Sequence, residues 1–397
     1  MKTETINQVM QGYIDSHELA GGALHVFSEA ETIFRGKWGL SDIEATRSVE
    51  YDSIFRLMSM TKPIVAAAVM ICAERGLIDI DDPVSHYLTE FADMQVNHDP
   101  KYANGPDLLK RIPLLLPFFN ISKVKTKPAS RDITVRDLLS HSSGMQQGTV
   151  SLLSLLKGLP QFGSLREEVS YFAAQPLDFD PGTGTGYSPL AGFDVLGYLI
   201  ECVSGTRLEG FVRTEICDPL EMFDTGFFLS EERQKRLVKV YKRHAGILKD
   251  VTGTKNDVAG AMHQKAISFE HGCGGMYSTL DDYSHFAQML LCEGSYKGRR
   301  ILQPETVRMM RSEAPLVHLE PEPGFVWGLG MKIRQDPEKG GSPATAGTYG
   351  WSGAFGTHFF ISPIDRLGVV FMTNRADLEG SGSYISKRIE ELVFEGD

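Results

Sequence analysis

The sequence lacks several features that would place the protein in a specialised class. No apolar run approaches the roughly 20 residues that span a bilayer, and the N-terminus has no apolar core of the signal-peptide kind. Lys and Arg total 40 against 51 Asp and Glu, so the formal net charge is −11. No basic surplus therefore exists to neutralise nucleic-acid phosphates. We predict a cytoplasmic protein that binds neither nucleic acid nor a membrane.

Cysteine is scarce, and metal-binding motifs are missing. The five cysteines are scattered and show no CxxC spacing; they are Cys72, Cys202, Cys217, Cys273 and Cys292. An odd, dispersed set is typical of buried, reduced thiols in a cytoplasmic protein. The sequence also has no HExxH, no Cys/His cluster and no EF-hand loop, so it predicts no metal site and implies no cofactor. Without a GxSxG motif, it does not indicate an α/β-hydrolase nucleophile elbow.

Strand patterns occur at both ends of the chain. Residues 21–42 alternate apolar and polar residues as two strands joined by a turn, and WGLGMKIR, TYGWSGAFGTHFFIS and LGVVFMTNR read as three more strand runs. Amphipathic helices are predicted before the first strand and over residues 383–394. Together these patterns predict an α/β (α+β) fold, in which helices flank one antiparallel sheet assembled from both termini.

The middle of the chain has a different pattern. Residues 79–220 show helical periodicity broken by Pro and Gly, which predicts a mainly helical domain. Residues 1–78 and 221–397 would then form a discontinuous α/β domain that contains the sheet. The stretch 98–130 is the least regular, and PLLLPFF within it is predicted to cover apolar surface. Its role, at a pocket mouth or an oligomer contact, stays open, as does the oligomeric state.

The strongest helix signal follows FRLMSMTKPI, residues 55–64. Its Ala-rich run closes on Gly76, and Pro63 is tolerated only in a first turn, which puts Ser59 at or just before the helix N-terminus. Residues three apart share a helix face, so the Lys62 amine can reach the Ser59 hydroxyl.

The pairing of Ser59 with Lys62 suggests nucleophilic catalysis. A serine hydroxyl is a weak nucleophile unless a base lies beside it. A helix N-terminus and burial both disfavour an ammonium, so Lys62 is expected to accept a proton. The alternative is an N-cap serine beside a solvated lysine. Two further SxxK pairs, Ser122–Lys125 and Ser154–Lys157, lack the Pro-anchored apolar helix and are interpreted as structural.

Four segments occur in a characteristic order: FRLMSMTKPI, ERGLIDIDDPVSHYL, ITVRDLLSHSSGM and DFDPGTGTGYSPLAGFDVLGYLIECVSG. Together they resemble the class C β-lactamase-like serine hydrolases, and within these the family VIII carboxylesterases. The resemblance extends from about residue 20 to residue 375. It implies the β-lactamase, or penicillin-recognising, fold, with the active site between the two predicted domains.

The resemblance also implies roles for individual residues. Ser59 would be the nucleophile, Lys62 its base partner, and Tyr187 of GYSP the group that relays a proton between Ser59 and the leaving group. The oxyanion hole would consist of the backbone N–H groups of Ser59 and Ala354.

Two positions depart from the β-lactamase pattern. Pro189 replaces the motif Asn that grips a lactam or peptide amide. Trp351 replaces the Lys of the third motif, which Ser352 and Gly353 complete. The loss of a charge-assisted contact worth about 1.5–3 kcal/mol is expected to weaken the binding of anionic substrates by about one to two orders of magnitude. Trp351 and its neighbours are thus expected to line a site for uncharged acyl donors, although Trp351 could also serve packing only.

These implications predict a serine carboxylesterase that cleaves short-chain, uncharged, small-molecule esters. The alternatives are a weak β-lactamase, peptidase or amidase, an acyltransferase, and a non-catalytic ligand sensor on the same fold. His141 is interpreted as structural. The glycines of PGTGTG, residues 181–186, are expected to let the backbone pass close to the site and present Tyr187.

Overall fold

The computed structural model describes residues 3–104, 108–254, 269–314, 321–378, 380 and 382–394. The ends of the predicted α/β domain, residues 1–2 and 395–397, and residues 105–107 of the irregular stretch lie outside the described residues. The helices are α1 Thr3–Asp15, α2 Thr61–Glu74, α3 Leu108–Leu115, α4 Val135–Leu139, α5 Thr149–Lys157, α6 Leu165–Ala173, α7 Ala191–Ser204, α8 Leu208–Val212, α9 Glu231–Gln234, α10 Leu280–Leu291, α11 Pro304–Met310, α12 Pro337–Gly340 and α13 Tyr384–Phe394.

The strands are β1 Gly21–Ser28, β2 Thr32–Asp42, β3 Arg47–Ser48, β4 Phe55–Arg56, β5 Gln95–Asn97, β6 Thr126–Pro128, β7 Tyr241–His244, β8 Ile247–Asp250, β9 Tyr277–Ser278, β10 Ser295–Tyr296, β11 Arg299–Arg300, β12 Phe325–Trp327, β13 Lys332–Arg334, β14 Tyr349–Ser352, β15 His358–Ser362 and β16 Leu367–Met372. Within the described residues the main sheet has eight strands in the order β12-β13-β14-β15-β16-β1-β2-β3. Every neighbouring pair is antiparallel. Strand β1 pairs with β16, Ala23 opposite Met372, so the two ends of the chain meet in the sheet as predicted.

Helices cover both faces of this sheet. Ile6 of α1 and Ile389 of α13 pack with Val369 on one face. On the other face, α10 packs against β15 and β16, with Tyr283 against Phe359. A sheet buried on both faces explains why β15 and β16 are apolar at successive positions rather than at alternate ones.

Helix α2 lies inside the core. All of its residues from Thr61 to Cys72 are buried, which matches its lack of a polar face. It ends before Gly76, whose φ of +67° is the left-handed conformation that a helix C-terminus favours. The helix packs against α7, and this contact brings Lys62 into the interior between the two helices.

Two of the predicted strand runs fold as hairpins instead. WGLGMKIR contains the last residue of β12, the turn and β13, because Gly330 adopts a φ of +79° and the Gly328 N–H donates to the carbonyl of Met331. Likewise, TYGWSGAFGTHFFIS forms β14 and β15 around Gly356, whose φ is +90°. The strand predictions were therefore wrong at these turns, where glycine conformation rather than hydrophobic pattern decides the path.

Residues 79–220 contain α3–α8 and the short pair β5–β6, so this range is mainly helical. Its separation as a domain stays a prediction. The interpretation of PLLLPFF as an apolar cover was wrong for Leu114 and Phe118, which are 73% and 77% exposed. Phe119 of this segment and the preceding Ile112 are buried in one cluster with Val150.

All five cysteines are free. Three are buried, Cys292 is half-buried, and Cys202 is exposed because it faces outward near the end of α7. The prediction of buried thiols was therefore wrong for Cys202. None of the helices within the described ranges combines the length and apolar character needed to cross a membrane.

Candidate active site

Ser59 lies in a single 3₁₀ turn, Met58–Met60, directly before α2. Met58 has a φ of +50°, a left-handed conformation that is uncommon for a residue with a side chain. The turn is held by Leu57, whose N–H donates to Met276 and whose carbonyl accepts from Thr357 Oγ1. Such backbone strain persists only where the surroundings enforce it, and here it orients the Ser59 hydroxyl into a cavity.

Three side chains predicted from distant motifs converge at this point. The Tyr187 hydroxyl donates to Ser59 Oγ at 2.6 Å, and Lys62 Nζ lies 3.4 Å from the same oxygen. Ser59 and Tyr187 are half-buried, whereas Lys62 is fully buried. The serine oxygen therefore has a phenol and an amine within hydrogen-bond distance.

Two backbone carbonyls hold the Lys62 amine. Nζ donates to Cys273 O at 2.6 Å and to Pro189 O at 2.9 Å. These two bonds use two of the three N–H or lone-pair positions of Nζ. The third position, whether N–H or lone pair, therefore points toward Ser59. The rings of Tyr187 and Phe193 lie 5.0 and 5.6 Å from Nζ and enclose it further.

Sequence reasoning missed both carbonyls. It singled out Pro189 for the amide side chain that it lacks, whereas in the structure its carbonyl contacts Lys62. Pro189 is not among the described residues that line the cavity beside Ser59. Cys273 was considered only as a thiol, and no residue-type signal could have identified a main-chain acceptor.

A buried ionic cluster supports the Cys273 backbone. Asp194 of α7 accepts from the Cys273 N–H at 2.9 Å. His271 Nδ1 lies 3.3 Å from a Glu168 oxygen and 3.6 Å from an Asp194 oxygen. Although burial opposes it, Asp194 and Glu168 raise the pKa of His271 to about 10. Burial, together with the charge of Asp194, raises the pKa of Glu168.

Ligand atoms of Asp194, His271 and Cys273 lie within 4.8 Å of one another, close enough to hold a metal ion. However, burial and the nearby carboxylates raise the pKa of the Cys273 thiol well above its usual range. This opposes the thiolate form that a metal ligand needs. A charged imidazolium between two carboxylates accounts for the cluster better.

His141 positions the loop that carries Tyr187. Its carbonyl accepts from the Gly186 N–H, and its Nδ1 accepts from the Ser188 N–H, both at 3.2 Å. Burial, with the charge of Lys62, lowers the pKa of His141 well below its ordinary value, so the ring is a neutral acceptor. These contacts flank Tyr187 on both sides and give His141 a structural role.

The cavity beside Ser59, here the Ser59 cavity, has a volume of about 320 Å³. Tyr187, Trp327 and Trp351 form an aromatic wall: the Tyr187 ring lies 6.3 Å from Trp327 and 5.2 Å from Trp351. Both tryptophans are buried, and their Nε1 donors have no hydrogen-bond partner among the described residues. Trp327 was not singled out in the sequence, where it read only as the start of a strand.

The end of β14 approaches the 3₁₀ turn very closely. A Cβ added to Gly353 would lie 2.2 Å from both Leu57 O and Thr357 Oγ1, so glycine is required for this approach. Gly353 itself is not among the described cavity-lining residues, whereas Ala354 lines the cavity together with Ser59. Ser352 also lines it, and its Oγ lies 2.8 Å from His358 Nδ1.

The structure does not bring the two other SxxK pairs to any comparable arrangement. Ser122 is exposed, and its hydroxyl bonds to Asn120. Lys125 and Lys157 are both exposed. Among the described residues, neither pair has a tyrosine hydrogen-bonded to its serine.

The Beta-lactamase family model matches residues 6–394. The chain belongs to the Beta-lactamase family. Within this family it is 31% identical over 374 residues to Protein Rv1367c of Mycobacterium tuberculosis, a match that covers 90% of this chain and 86% of that protein. It is 28% identical over 410 residues to Esterase EstB of Burkholderia gladioli, covering 98% of this chain and 94% of the esterase.

Two solved structures share the fold. EstCE1, described as a hydrolase with promiscuous acyltransferase activity, superposes with a TM-score of 0.79 at 24% identity, covering 98% of each chain. Simvastatin synthase (LovD) from Aspergillus terreus superposes with a TM-score of 0.78 at 20% identity, covering 98% of this chain and 97% of that chain. The predicted family resemblance and fold class are confirmed, and the protein is a hydrolase of this family.

Proposed function

We propose that this family member is a serine carboxylesterase that cleaves short-chain, uncharged esters. One observation carries the proposal: Ser59 Oγ lies 2.6 Å from the Tyr187 hydroxyl and 3.4 Å from Lys62 Nζ, at the wall of a cavity of about 320 Å³. A hydroxyl so placed can lose its proton as it attacks a carbonyl carbon. The similarity to Esterase EstB supports an ester as the substrate.

In the proposed reaction, Ser59 Oγ bonds to the ester carbonyl carbon while its proton passes to the Lys62–Tyr187 pair. The backbone N–H groups of Ser59 and Ala354 stabilise the oxyanion. When the carbon–alkoxy bond breaks, Tyr187 supplies the proton to the departing alcohol. Water then attacks the acyl-enzyme, and the same groups return the proton to Ser59.

The cavity lining favours uncharged acyl groups. Trp327 and Trp351 supply apolar surface with two free N–H donors. Glu322 is the charged side chain among the described lining residues, and it is paired with Lys332 at 3.0 Å. The described lining offers no cationic side chain to an anionic substrate, which supports the expectation from Trp351.

Intact-mass spectrometry tests the proposal. Wild-type protein mixed with a panel of p-nitrophenyl esters of two to eight carbons is expected to gain the mass of one acyl group, most readily with the short esters. Ser59→Ala is expected to gain none, and Ser122→Ala is a matched control that acylates normally. Faster turnover of nitrocefin than of p-nitrophenyl acetate, or acylation of Ser59→Ala, would contradict the proposal.

Replacing Trp351 tests the basis of specificity. Trp351→Lys is expected to shift the ratio of kcat/KM for the p-nitrophenyl monoester of succinate over p-nitrophenyl acetate by about 10- to 100-fold toward the anion. The reason is the charge-assisted contact that a lysine offers to a carboxylate.

Trp351→Met is the control for this change, because it removes the indole without adding charge. Its ratio is expected to stay within about threefold of wild type. Equal shifts in both variants would show that loss of the indole, and not the charge, determines the preference.

A further inference from the structure

A second cavity adjoins the first across strand β14. Its volume is about 360 Å³, and it lies between β13, β14 and β15 on one side and α13 on the other. It shares Glu322, Trp351 and Ser352 with the Ser59 cavity, but Ser59, Lys62 and Tyr187 do not line it. The proposed ester hydrolysis makes no use of this space, here called the Arg334 cavity.

Arg334 gives the cavity its chemistry. The side chain is 3% exposed, and Nη2 donates to Glu390 at 2.6 Å. The other two guanidinium nitrogens, Nε and Nη1, are buried without a hydrogen-bond partner among the described residues. An unmatched buried donor costs about 1–3 kcal/mol, more when it is charged, so two on one side chain indicate that an acceptor normally meets them.

The two acids of the cavity are already paired. Glu390 binds Arg334 and also accepts from Ser342 Oγ at 2.7 Å; although burial opposes it, His358, Arg334 and Ser342 hold its pKa at about 2. Glu322 accepts from Lys332 at 3.0 Å. Neither carboxylate therefore supplies the acceptor that Arg334 Nε and Nη1 lack.

The cavity also has a surplus of positive charge. Four cationic residues line it against the two acids: Lys332, Arg334, Lys339 and Lys387. One of the four, Lys339, also pairs with Asp336 at 3.8 Å. In a chain with a net charge of −11, such a local surplus in a concave space attracts anions.

Aromatic rings define the remainder of the ligand. The Arg334 guanidinium lies 4.6 Å and Lys332 Nζ 4.1 Å from the Phe325 ring centre, and Phe360 also lines the space. A ligand here thus meets donors at one end and apolar rings nearby. The apolar rings favour an organic anion over inorganic phosphate.

We propose that the Arg334 cavity binds a small organic monocarboxylate, separately from ester cleavage at Ser59. The carboxylate accepts a hydrogen bond from one of the free guanidinium nitrogens of Arg334, and its apolar part packs against Phe325 and Phe360. Such a charge-assisted hydrogen bond is roughly twice as strong as a neutral one.

Calorimetric titration with phenylacetate tests the proposal on wild-type protein, and on protein whose Ser59 has been blocked by a fluorophosphonate. Equal binding to both forms is expected, because the blocked hydroxyl lies in the other cavity. Arg334→Lys keeps a cation for Glu390 but removes the free guanidinium donors, and we expect its dissociation constant to rise at least tenfold. Lys387→Glu, on the exposed rim, should weaken binding severalfold without disturbing the fold.

Arg299→Lys, an exposed substitution outside the cavity, is the matched control and should bind as wild type does. Hydrolysis of p-nitrophenyl acetate should be unchanged in Arg334→Lys, so the outcome is independent of the proposed esterase activity. No binding by wild type, loss of binding on phosphonylation, or undiminished binding by both Arg334→Lys and Lys387→Glu would overturn the inference.

Discussion

Replacing Lys62 with methionine is expected to lower kcat/KM for p-nitrophenyl acetate by about 10³- to 10⁴-fold, the upper range for a lost proton-transfer group. The amine is 3.4 Å from Ser59 Oγ, and the two carbonyl bonds leave its remaining position directed there. Methionine has a similar length but cannot accept or donate this proton. Steady-state kinetics between pH 6 and 9 measures the loss.

The same substitution leaves the carbonyls of Pro189 and Cys273 without the Lys62 donor, so stability is also expected to fall, by about 1–3 kcal/mol for each unmatched acceptor. Urea unfolding separates this effect from the kinetic one. Lys125→Met is the matched control: it removes the exposed lysine of another SxxK pair and should leave activity unchanged. If Lys62→Met stays within tenfold of wild type while folded, Tyr187 alone must relay the Ser59 proton.

The convergence of Ser59, Lys62 and Tyr187 was predictable because their proposed roles depend on side chains. A hydroxyl, an amine and a phenol must be present as residue types, and Pro63 and the glycines before Tyr187 reveal the local backbone that presents them. The fold then brings the segment that carries Ser59 and Lys62 next to the segment that carries Tyr187. The sequence predicted this contact only through the family resemblance. The sheet was predictable for a similar reason, since hydrophobic patterns at both ends required a shared partner.

Other parts of the site could not be predicted, because they depend on main-chain atoms or on distant approaches. The carbonyls of Pro189 and Cys273 could come from any residue type. Trp327 reaches Tyr187 only because β12 and β13 form a hairpin at Gly330, where a single strand was expected. Arg334 looks like an ordinary strand residue until α13 and β15 enclose it.

Replacing His271 with glutamine is expected to lower the free energy of unfolding at pH 7 by about 3–5 kcal/mol, as when one partner of a buried ion pair is removed. The imidazolium lies between Glu168 and Asp194, and all three side chains are buried. Without it, two carboxyl groups face each other in the core. Urea unfolding followed by circular dichroism measures the change, and exposed His244→Gln is the control.

The pH dependence gives a sharper test. The pKa of His271 is raised from 6.5 in the unfolded chain to about 10 in the folded protein. Its stabilisation is therefore complete below pH 6.5 and is lost as the pH rises toward and through 10. Glu168 also titrates in this range, so the comparison is best made between Glu168→Gln and the double variant Glu168→Gln/His271→Gln.

Between pH 6.5 and 9.5, the single variant Glu168→Gln should lose about 1–3 kcal/mol more stability than the double variant. The reason is that only the single variant retains His271, which loses its proton at a lower pH in the unfolded chain than in the folded protein. Parallel stability curves would mean that His271 is neutral in the folded protein. The Cys273 backbone would then depend on the Asp194 hydrogen bond alone, and the charged cluster could not be what holds the carbonyl against Lys62.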